Sequence, residues 1–404
     1  MKPRILFVVT IEGAVRAFLA EPLRKLSERF DIDLAVNSPN PDVLASLGIE
    51  GRTFRIPIER PIHPVNDLKA LMALTSLIRR EGYDAIHSVT PKAGLLAMLA
   101  GRLAGAPMRT HTFTGQVWAT RSGASRAMLK SIDRVIHRLS TFSLVDSPSQ
   151  RDFLLAEGVI RPEKSAVLAD GSIAGVDLQR FRPDARARAE MREELGISDE
   201  APVFLYVGRL SRDKGVLDLA RAFRVAHAAY PDARLLVVGP DEENLEGPVL
   251  EAAGPGALRV GHTSVPERYM AAADVFCLPS YREGFGSVVI EAAAAGIPTI
   301  ASRIYGLTDA VDDGVTGLLH DPSDWQELAR LMVRVLQHPE LRARMAAAAA
   351  DRAKNRFSSK ALADAWNFYY RQPPLAFGSL DTNLERARGN ASGIANVSED
   401  LAGR

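Results

Sequence analysis

Two stretches of this sequence carry side chains of the kinds, and at the spacings, that do chemistry on a phosphorylated ligand. The first is Val207-Gly208-Arg209-Leu210-Ser211-Arg212-Asp213-Lys214-Gly215. Arg209 offers a planar, permanently charged fork for two phosphate oxygens, and Lys214 offers a compact ammonium. A solvated basic turn has the same composition, so this segment alone leaves both readings open. The second stretch begins Ser280-Tyr281-Arg282-Glu283-Gly284-Phe285-Gly286 and runs on through Ser287 to Glu291. Gly284 and Gly286 let backbone N–H groups approach a ligand closely, and a helix starting after them adds partial positive charge. That combination suits a diphosphate. Glu283 in the loop and Glu291 in the helix can both accept hydrogen bonds from sugar or ribose hydroxyls. A glycine-punctuated turn with a solvated glutamate is the plainer alternative. Glu291 resists it, because it lies among Val288, Val289, Ile290 and alanines, where an acid needs a partner.

Other chemistries find less support. The single cysteine, Cys277, sits in the apolar run Val275-Phe276-Cys277-Leu278 and reads as a buried, inert thiol. One cysteine excludes a disulfide within the chain and fits a reducing compartment. No His/Cys group has metal-ligand spacing, and Asp31-Ile32-Asp33 opens a strand, so no metal and no cofactor are expected. A net charge of +1 gives no general reason to expect a nucleic-acid partner.

The elements that must position these residues follow from hydrophobic patterning. With 404 residues, 47% hydrophobic and 25% charged, the chain has material for two domains with sizeable cores. Short β-rich runs alternate with amphipathic stretches, the pattern of parallel sheets covered by helices. Strands are expected at 4–9, 33–36, 84–88, 108–112, 143–145 and 164–168, with helices at 15–29, 67–81, 92–104 and 148–157. A second series has strands at 203–207, 235–238, 258–260, 275–278, 299–301 and 318–320. The expected division is a first domain over 1–180, a second over 181–371, and a poorly ordered tail over 372–404 holding chance Asn-x-Ser triplets at Asn390 and Asn396. The apolar run after Met1-Lys2-Pro3-Arg4 is too short for a signal peptide, and no segment approaches the ~18 apolar residues of a membrane span. A cytoplasmic location is expected.

The motifs taken together resemble a known family. Gly208-Arg209-Leu210 with Lys214-Gly215, Glu283-Gly284-Phe285-Gly286 with Glu291, Gly296-Ile297-Pro298, and Asp313-Gly314 with Gly317 are similar to the second domain of family 4 (group 1) retaining glycosyltransferases. The resemblance implies an α/β chain of the GT-B fold, two Rossmann-like doubly wound parallel-sheet domains facing a central cleft. It implies transfer of a sugar from a nucleotide diphosphate, with UDP favoured, to a glycan or lipid-linked acceptor in polysaccharide or glycoconjugate synthesis, without a metal. Arg209 and Lys214 would neutralise the departing diphosphate, the kind of preorganised electrostatics that is usually the largest catalytic term. Glu283 would touch the donor sugar beside the Gly284, Phe285 and Gly286 backbone, and Glu291 would hold the ribose. The loops at Gly239 and His262 would flank ribose and base. In the first domain, Gly13 stands where relatives carry a glycine pair, and His111 is the candidate sugar contact. The family's retention of configuration implies that an oxygen of the leaving phosphate takes the acceptor proton.

One further segment could meet a membrane. Residues 125–140, from Ser125 to Ser140, place Met128, Leu129, Ile132, Val135, Ile136 and Leu139 on one helical face, with Arg126, Lys130, Arg134 and Arg138 recurring every four residues. Such a helix can lie in an anionic headgroup layer, here the cytoplasmic face of the inner membrane, or it can be an ordinary domain helix with a solvated basic side. Two other functions share the scaffold: a nucleotide-sugar epimerase (or a phosphorylase, which would need a pyridoxal-bearing lysine), and a non-catalytic nucleotide-sugar-binding protein.

Overall fold

A computed structural model describes residues 2–59, 61 and 63–371, so the tail expectation and the Asn390 and Asn396 triplets lie outside the described residues. Two parallel sheets dominate. The first contains β1 (Arg4–Val9), β2 (Asp31–Val36), β3 (Thr53–Arg55), β4 (Ala85–Val89), β5 (Met108–Phe113), β6 (Phe142–Val145) and β7 (Ser165–Val167). The second contains β8 (Val203–Val207), β9 (Arg234–Val238), β10 (Ala257–Val260), β11 (Val275–Leu278), β12 (Thr299–Ser302) and β13 (Gly317–His320). Runs such as Ile-Leu-Phe-Val-Val in β1 are buried on both faces, as strands covered by helices must be.

The strand orders are β3-β2-β1-β4-β5-β6-β7 and β10-β9-β8-β11-β12-β13. In each sheet the order reverses beside the strand that comes first in sequence, between β1 and β4 and between β8 and β11. Ligands in open parallel sheets bind outside the carboxyl ends of the strands at that reversal. The two candidate motifs follow β8 and β11, the strands that flank the reversal of the second sheet.

Three departures from the sequence expectation have physical causes. The expected helix over 15–29 is two helices, Glu12–Phe18 and Ala20–Ser27, meeting at Leu19. Pro22 explains the break, since its ring would strike the carbonyl of Phe18 four residues back in a continuous helix. Strand β3 had been missed: three residues, all partly or fully exposed, carry no buried run to read. The third concerns the last helix, Ser359–Arg371, which does not stay with the second sheet. Its Leu362, Trp366, Tyr369 and Tyr370 join the core on one face of the first sheet. Trp366 stacks on His87 at 4.8 Å, Tyr370 Oη lies 2.5 Å from His87 Nδ1, and Tyr369 Oη lies 2.7 Å from Thr110 Oγ1.

The chain therefore crosses between domains twice, and the crossings touch. Val176 N–H donates to the Phe357 carbonyl at 2.7 Å, and Ser359 N–H donates to the Val176 carbonyl at 2.9 Å. Gly175, at φ +67°, permits this approach, because a Cβ there would stand 2.8 Å from the Phe357 carbonyl oxygen and from the backbone of Ser359.

Candidate functional site

The site is assembled at the carboxyl ends of β8 and β11. After β8 the chain passes Gly208 and Arg209, makes a single 3-10 turn over Arg212–Lys214, and turns at Gly215 into the helix Val216–Ala229. Gly215 has φ +66°, and a Cβ there would lie 2.0 Å from the Pro279 carbonyl oxygen, so the two loops fit together only through a glycine. After β11 the loop runs through Gly286, at φ +85°, into the helix Ser287–Ala294, whose N-cap offers no side-chain hydrogen bond. Its first N–H groups and the helix dipole leave that end suited to an anion.

Side chains lock the loops to each other. Lys214 Nζ lies 2.5 Å from Glu283 Oε1, which also accepts from Ser280 Oγ at 2.8 Å. Arg282 pairs with Asp213 at 2.7 Å, and Tyr281 Oη donates to Asp218 at 2.6 Å. Arg209 pairs with Glu242 at 2.5 Å, and its carbonyl accepts from Tyr206 Oη at 2.6 Å. Each cation thus already holds a carboxylate, so a diphosphate would arrive by exchange and not at a bare charge. Gly239, at φ +132°, presses against the Gly208 carbonyl and keeps the ends of β8 and β9 together. Glu291, one helical segment further on, has its carboxyl pushed up to about 7 by withdrawal from water; Arg180 pulls it down and Glu267 pushes it up. Arg180 and Glu267 pair at 2.7 Å, and His262 stands exposed two residues after the end of β10.

The first domain closes over this loop. Gly115 lies so near that its Cβ would stand 3.0 Å from Gly284 N, and a Cβ on Gly284 would stand 2.6 Å from Asp146 Oδ2. Ser147 Oγ donates to the Gly284 carbonyl at 2.9 Å. Ser149 binds Asp309 through its N–H at 2.9 Å and receives Gly306 N–H on Oγ at 2.8 Å. Trp118, Phe153 and Tyr305 form a stack across the seam, with centroid spacings of 5.3 and 4.6 Å.

The candidate residues divide by position. Arg209, Lys214, Glu283, Gly284 and Gly286 converge, with Glu291 and Gly239 beside them. One assignment needs correction. His111 is 1% exposed, bonded to Ser88 Oγ at 2.9 Å and covered by Gly94, where a Cβ would fall 2.4 Å from the ring. Burial pushes its pKa down to about 3, so it is a neutral histidine of the helix-covered face and does not reach the cleft. Phe285 is 1% exposed and packs on Phe357 at 5.2 Å, so its ring anchors the loop, which leaves the expectation placed on its backbone as it was. Gly13 falls in the exposed first turn of the helix Glu12–Phe18, near the end of β1.

Thr114 and Gly115, which stand where some relatives carry a His-Gly pair, touch the donor loop from the first domain, and so do Asp146 and Ser147, which the sequence reading does not single out. The available signal was an acid directly after the buried run of β6, ahead of a Ser-Pro helix start. The helix expected over 125–140 runs Gly123–Leu139, and its basic stripe is largely committed: Arg126 and Lys130 pair with Glu157 at 2.8 and 2.5 Å, and Arg134 binds the Gly158 carbonyl at 2.9 Å. Ile136 is buried, while Met128 and Val135 are 53% and 45% exposed. Among the described residues no helix is long and apolar enough to cross a membrane.

Comparison with known proteins agrees with this geometry. Residues 187–352 match the family described as glycosyl transferases group 1, and residues 13–171 match the glycosyl transferase 4-like domain. The chain is similar to the capsular polysaccharide biosynthesis glycosyltransferase CapM of Staphylococcus aureus, 29% identical over 76% of this chain and 81% of that one. It is 29% identical to a UDP-Gal:alpha-D-GlcNAc-diphosphoundecaprenol alpha-1,3-galactosyltransferase of Escherichia coli, over 80% of this chain and 85% of the relative. A D-inositol 3-phosphate glycosyltransferase of Saccharomonospora viridis is 32% identical over 73% of this chain and 71% of its own length. Among solved structures, a sucrose-phosphate synthase of Thermosynechococcus elongatus superposes with a TM-score of 0.76 at 26% identity, covering 91% of this chain and 98% of that one. Anabaena HepE in complex with UDP and glucose superposes with a TM-score of 0.74 at 20% identity, covering 91% and 99%. Two parallel α/β domains meeting at the reversal of the second sheet, the Arg209–Lys214–Glu283 cluster and these matches have one reading: the chain belongs to the group 1, family 4 glycosyltransferases and has their GT-B fold.

Proposed function

We propose that this glycosyltransferase moves a hexosyl or N-acetylhexosaminyl group from a UDP-sugar to a glycan or lipid-linked acceptor, with retention of configuration and without a metal. The observation that carries the reading is the Lys214–Glu283 pair at the seam between the domains, beside an uncapped helix start, with Arg209 near enough to act with Lys214 on Asp213. The two cations take the diphosphate, exchanging Glu242 and Glu283 for its oxygens, and stabilise the charge that grows as the anomeric C–O bond breaks. Glu283, released from Lys214, accepts from hydroxyls of the sugar, while Glu291 accepts from the ribose. The acceptor oxygen bonds to the anomeric carbon on the face the diphosphate leaves, and its proton passes to a phosphate oxygen.

The relatives' names support the class of reaction, and the HepE complex with UDP supports the nucleotide. The lipid-linked acceptor of the Escherichia coli relative favours work at a cytoplasmic membrane surface, reached through Met128 and Val135 of the helix Gly123–Leu139 with Arg121, Arg134 and Arg138 nearby. A thermal-shift panel of nucleotide sugars tests the donor, since a ligand at a hundred times its Kd adds about 2.7 kcal/mol to stability. A UDP-sugar that raises Tm and then loses its sugar to an added acceptor in excess EDTA supports the proposal. Conversion of the donor without acceptor would point to an epimerase, and turnover restored only by Mg²⁺ or Mn²⁺ would end the metal-free mechanism.

A further inference from the structure

Asp146 has no place in the reaction described so far, yet its position is unusual. It follows β6 directly, belongs to the first domain and is 7% exposed. Its backbone is fully engaged: N–H donates to Gln150 Oε1 at 3.0 Å, and its carbonyl accepts from Ser172 N–H at 2.7 Å. Its side chain is not. Oδ1 is buried without a hydrogen-bond partner, and Oδ2 rests against Gly284 of the second domain, where an added Cβ would stand 2.6 Å away. A buried carboxyl with an unpartnered oxygen is costly in its charged form.

We propose that Asp146 is a positioning residue for the donor loop: lodged under Gly284 beside Glu283, it couples closure of the two domains to the proton it carries. The inference rests on the function proposed above, because it acts through Glu283. Burial pushes the Asp146 carboxyl up to about 7, and the Glu283 carboxylate across the seam pushes it further in the same direction. The other groups around it do not offset this. Lys214 is engaged on the far side of Glu283; Gln150 and Gln116, bonded to each other at 2.9 Å, are neutral; Asp170, two residues before Ser172, is held by Arg356 at 2.9 Å. In its acid form Asp146 sits quietly against Gly284. Once ionised it is an unpaired charge facing Glu283, and relief comes by parting the domains, which admits water to both carboxyls. The Ser147 bond to Gly284 and the Gly115 contact part with them, and Glu283 loses its aim at the sugar.

The test uses the full chain, as wild type and with two substitutions of this one position. Hydrogen exchange of residues 280–286, corrected for the intrinsic rate, is measured at pH 6 and pH 8.5 for wild type, Asp146→Asn and Asp146→Ala. Transfer rates are measured at the same two values. The wild-type loop should be protected at pH 6 and released at pH 8.5, with kcat/KM falling about thirtyfold relative to Asp146→Asn over the same interval, the ratio of ionised to acid form 1.5 units above a midpoint of about 7. Asp146→Asn keeps the shape of the acid form and cannot ionise, so its loop should stay protected at both values, and its rate should follow only the other groups that titrate there, the Glu291 carboxyl near 7 among them. Asp146→Ala, which also cannot ionise but no longer fills the space under Gly284, should show a protection that does not change between the two values. A wild-type loop equally protected at both values, an Asn variant with the wild-type pH profile, or an Ala variant that keeps the wild-type step in protection between pH 6 and pH 8.5 would each overturn the proposal. The exchange arm needs no turnover, so absence of transfer from every nucleotide sugar would refute the proposed reaction and still leave the role of Asp146 decided.

Discussion

Replacing Gly284 by alanine should disable the enzyme by holding its domains apart. Gly284 is not in the left-handed region, so alanine can adopt its backbone, and all the strain comes from neighbours. Those neighbours belong to the first domain: the new Cβ would lie 2.6 Å from Asp146 Oδ2, 2.8 Å from Gly115 N and 3.3 Å from the Thr114 carbonyl carbon. Ordinary contact begins near 3.4 Å, so the surfaces must separate by somewhat less than an ångström. Two of the three atoms are backbone and cannot swing aside. Overpacking of this kind costs about 1–3 kcal/mol. Opening the cleft relieves it, so the cost falls on the closed, reactive arrangement and not on either core. At 1.36 kcal/mol per decade, kcat/KM should drop by roughly 5- to 150-fold with little change in Tm. Gly115→Ala, with its nearest contact at 3.0 Å, should lose less. Gly247→Ala is the control: it lies in the helix Glu246–Ala253 with nothing within 4 Å of its Cβ, and should raise stability by about 0.4–1 kcal/mol through the unfolded chain. Steady-state kinetics and thermal melts on the three proteins decide it. Activity of Gly284→Ala within twofold of wild type would refute the reasoning, because the seam would then be too loose to matter.

Three further outcomes follow from the same geometry. Lys214→Ala and Arg209→Ala should each lower kcat at least as much as they raise KM, since their charge matters most as the diphosphate departs; near-wild-type turnover in both would remove them from the leaving-group site. Glu291→Gln should weaken binding of UDP measured by calorimetry, and an unchanged Kd would take Glu291 away from the ribose. Met128→Ser with Val135→Ser should reduce co-sedimentation with anionic liposomes, and added salt should reduce it further through Arg134 and Arg138; equal sedimentation would make Gly123–Leu139 an ordinary domain helix.

The elements and the second-domain cluster were legible in the sequence because both are local. Strands β8 and β11 fall where apolar runs place them, and glycines spaced around Glu283 mark the loop whatever surrounds it. What was not legible depends on facing and on contacts far apart in the chain. On β5, alternation sends Thr110 and Thr112 to Tyr369 and His87, while His111 points the other way, beneath Gly94. The sequence names the histidine, and only the packing of the helix Pro91–Ala104 says that it is sealed in. Phe285 sits between two glycines of a functional loop, yet an aromatic ring goes where apolar surface waits for it, against Phe357. Asp146 and Gly284 are 138 positions apart, and nothing near either residue announces the other.

The helix Ser359–Arg371 bears on how the protein is made. The first sheet is complete in sequence by Val167, but Trp366, Tyr369 and Tyr370, which cover Phe7, Phe142 and His87, are translated about two hundred residues later. At roughly 5–20 residues per second, a ribosome needs about 10–40 s to reach them. Throughout that interval the nascent first domain carries an uncovered aromatic face, and the second domain can fold before the first is finished. Vectorial synthesis therefore closes this protein from its middle outward, and the last of the described helices to emerge is the one that completes the first domain.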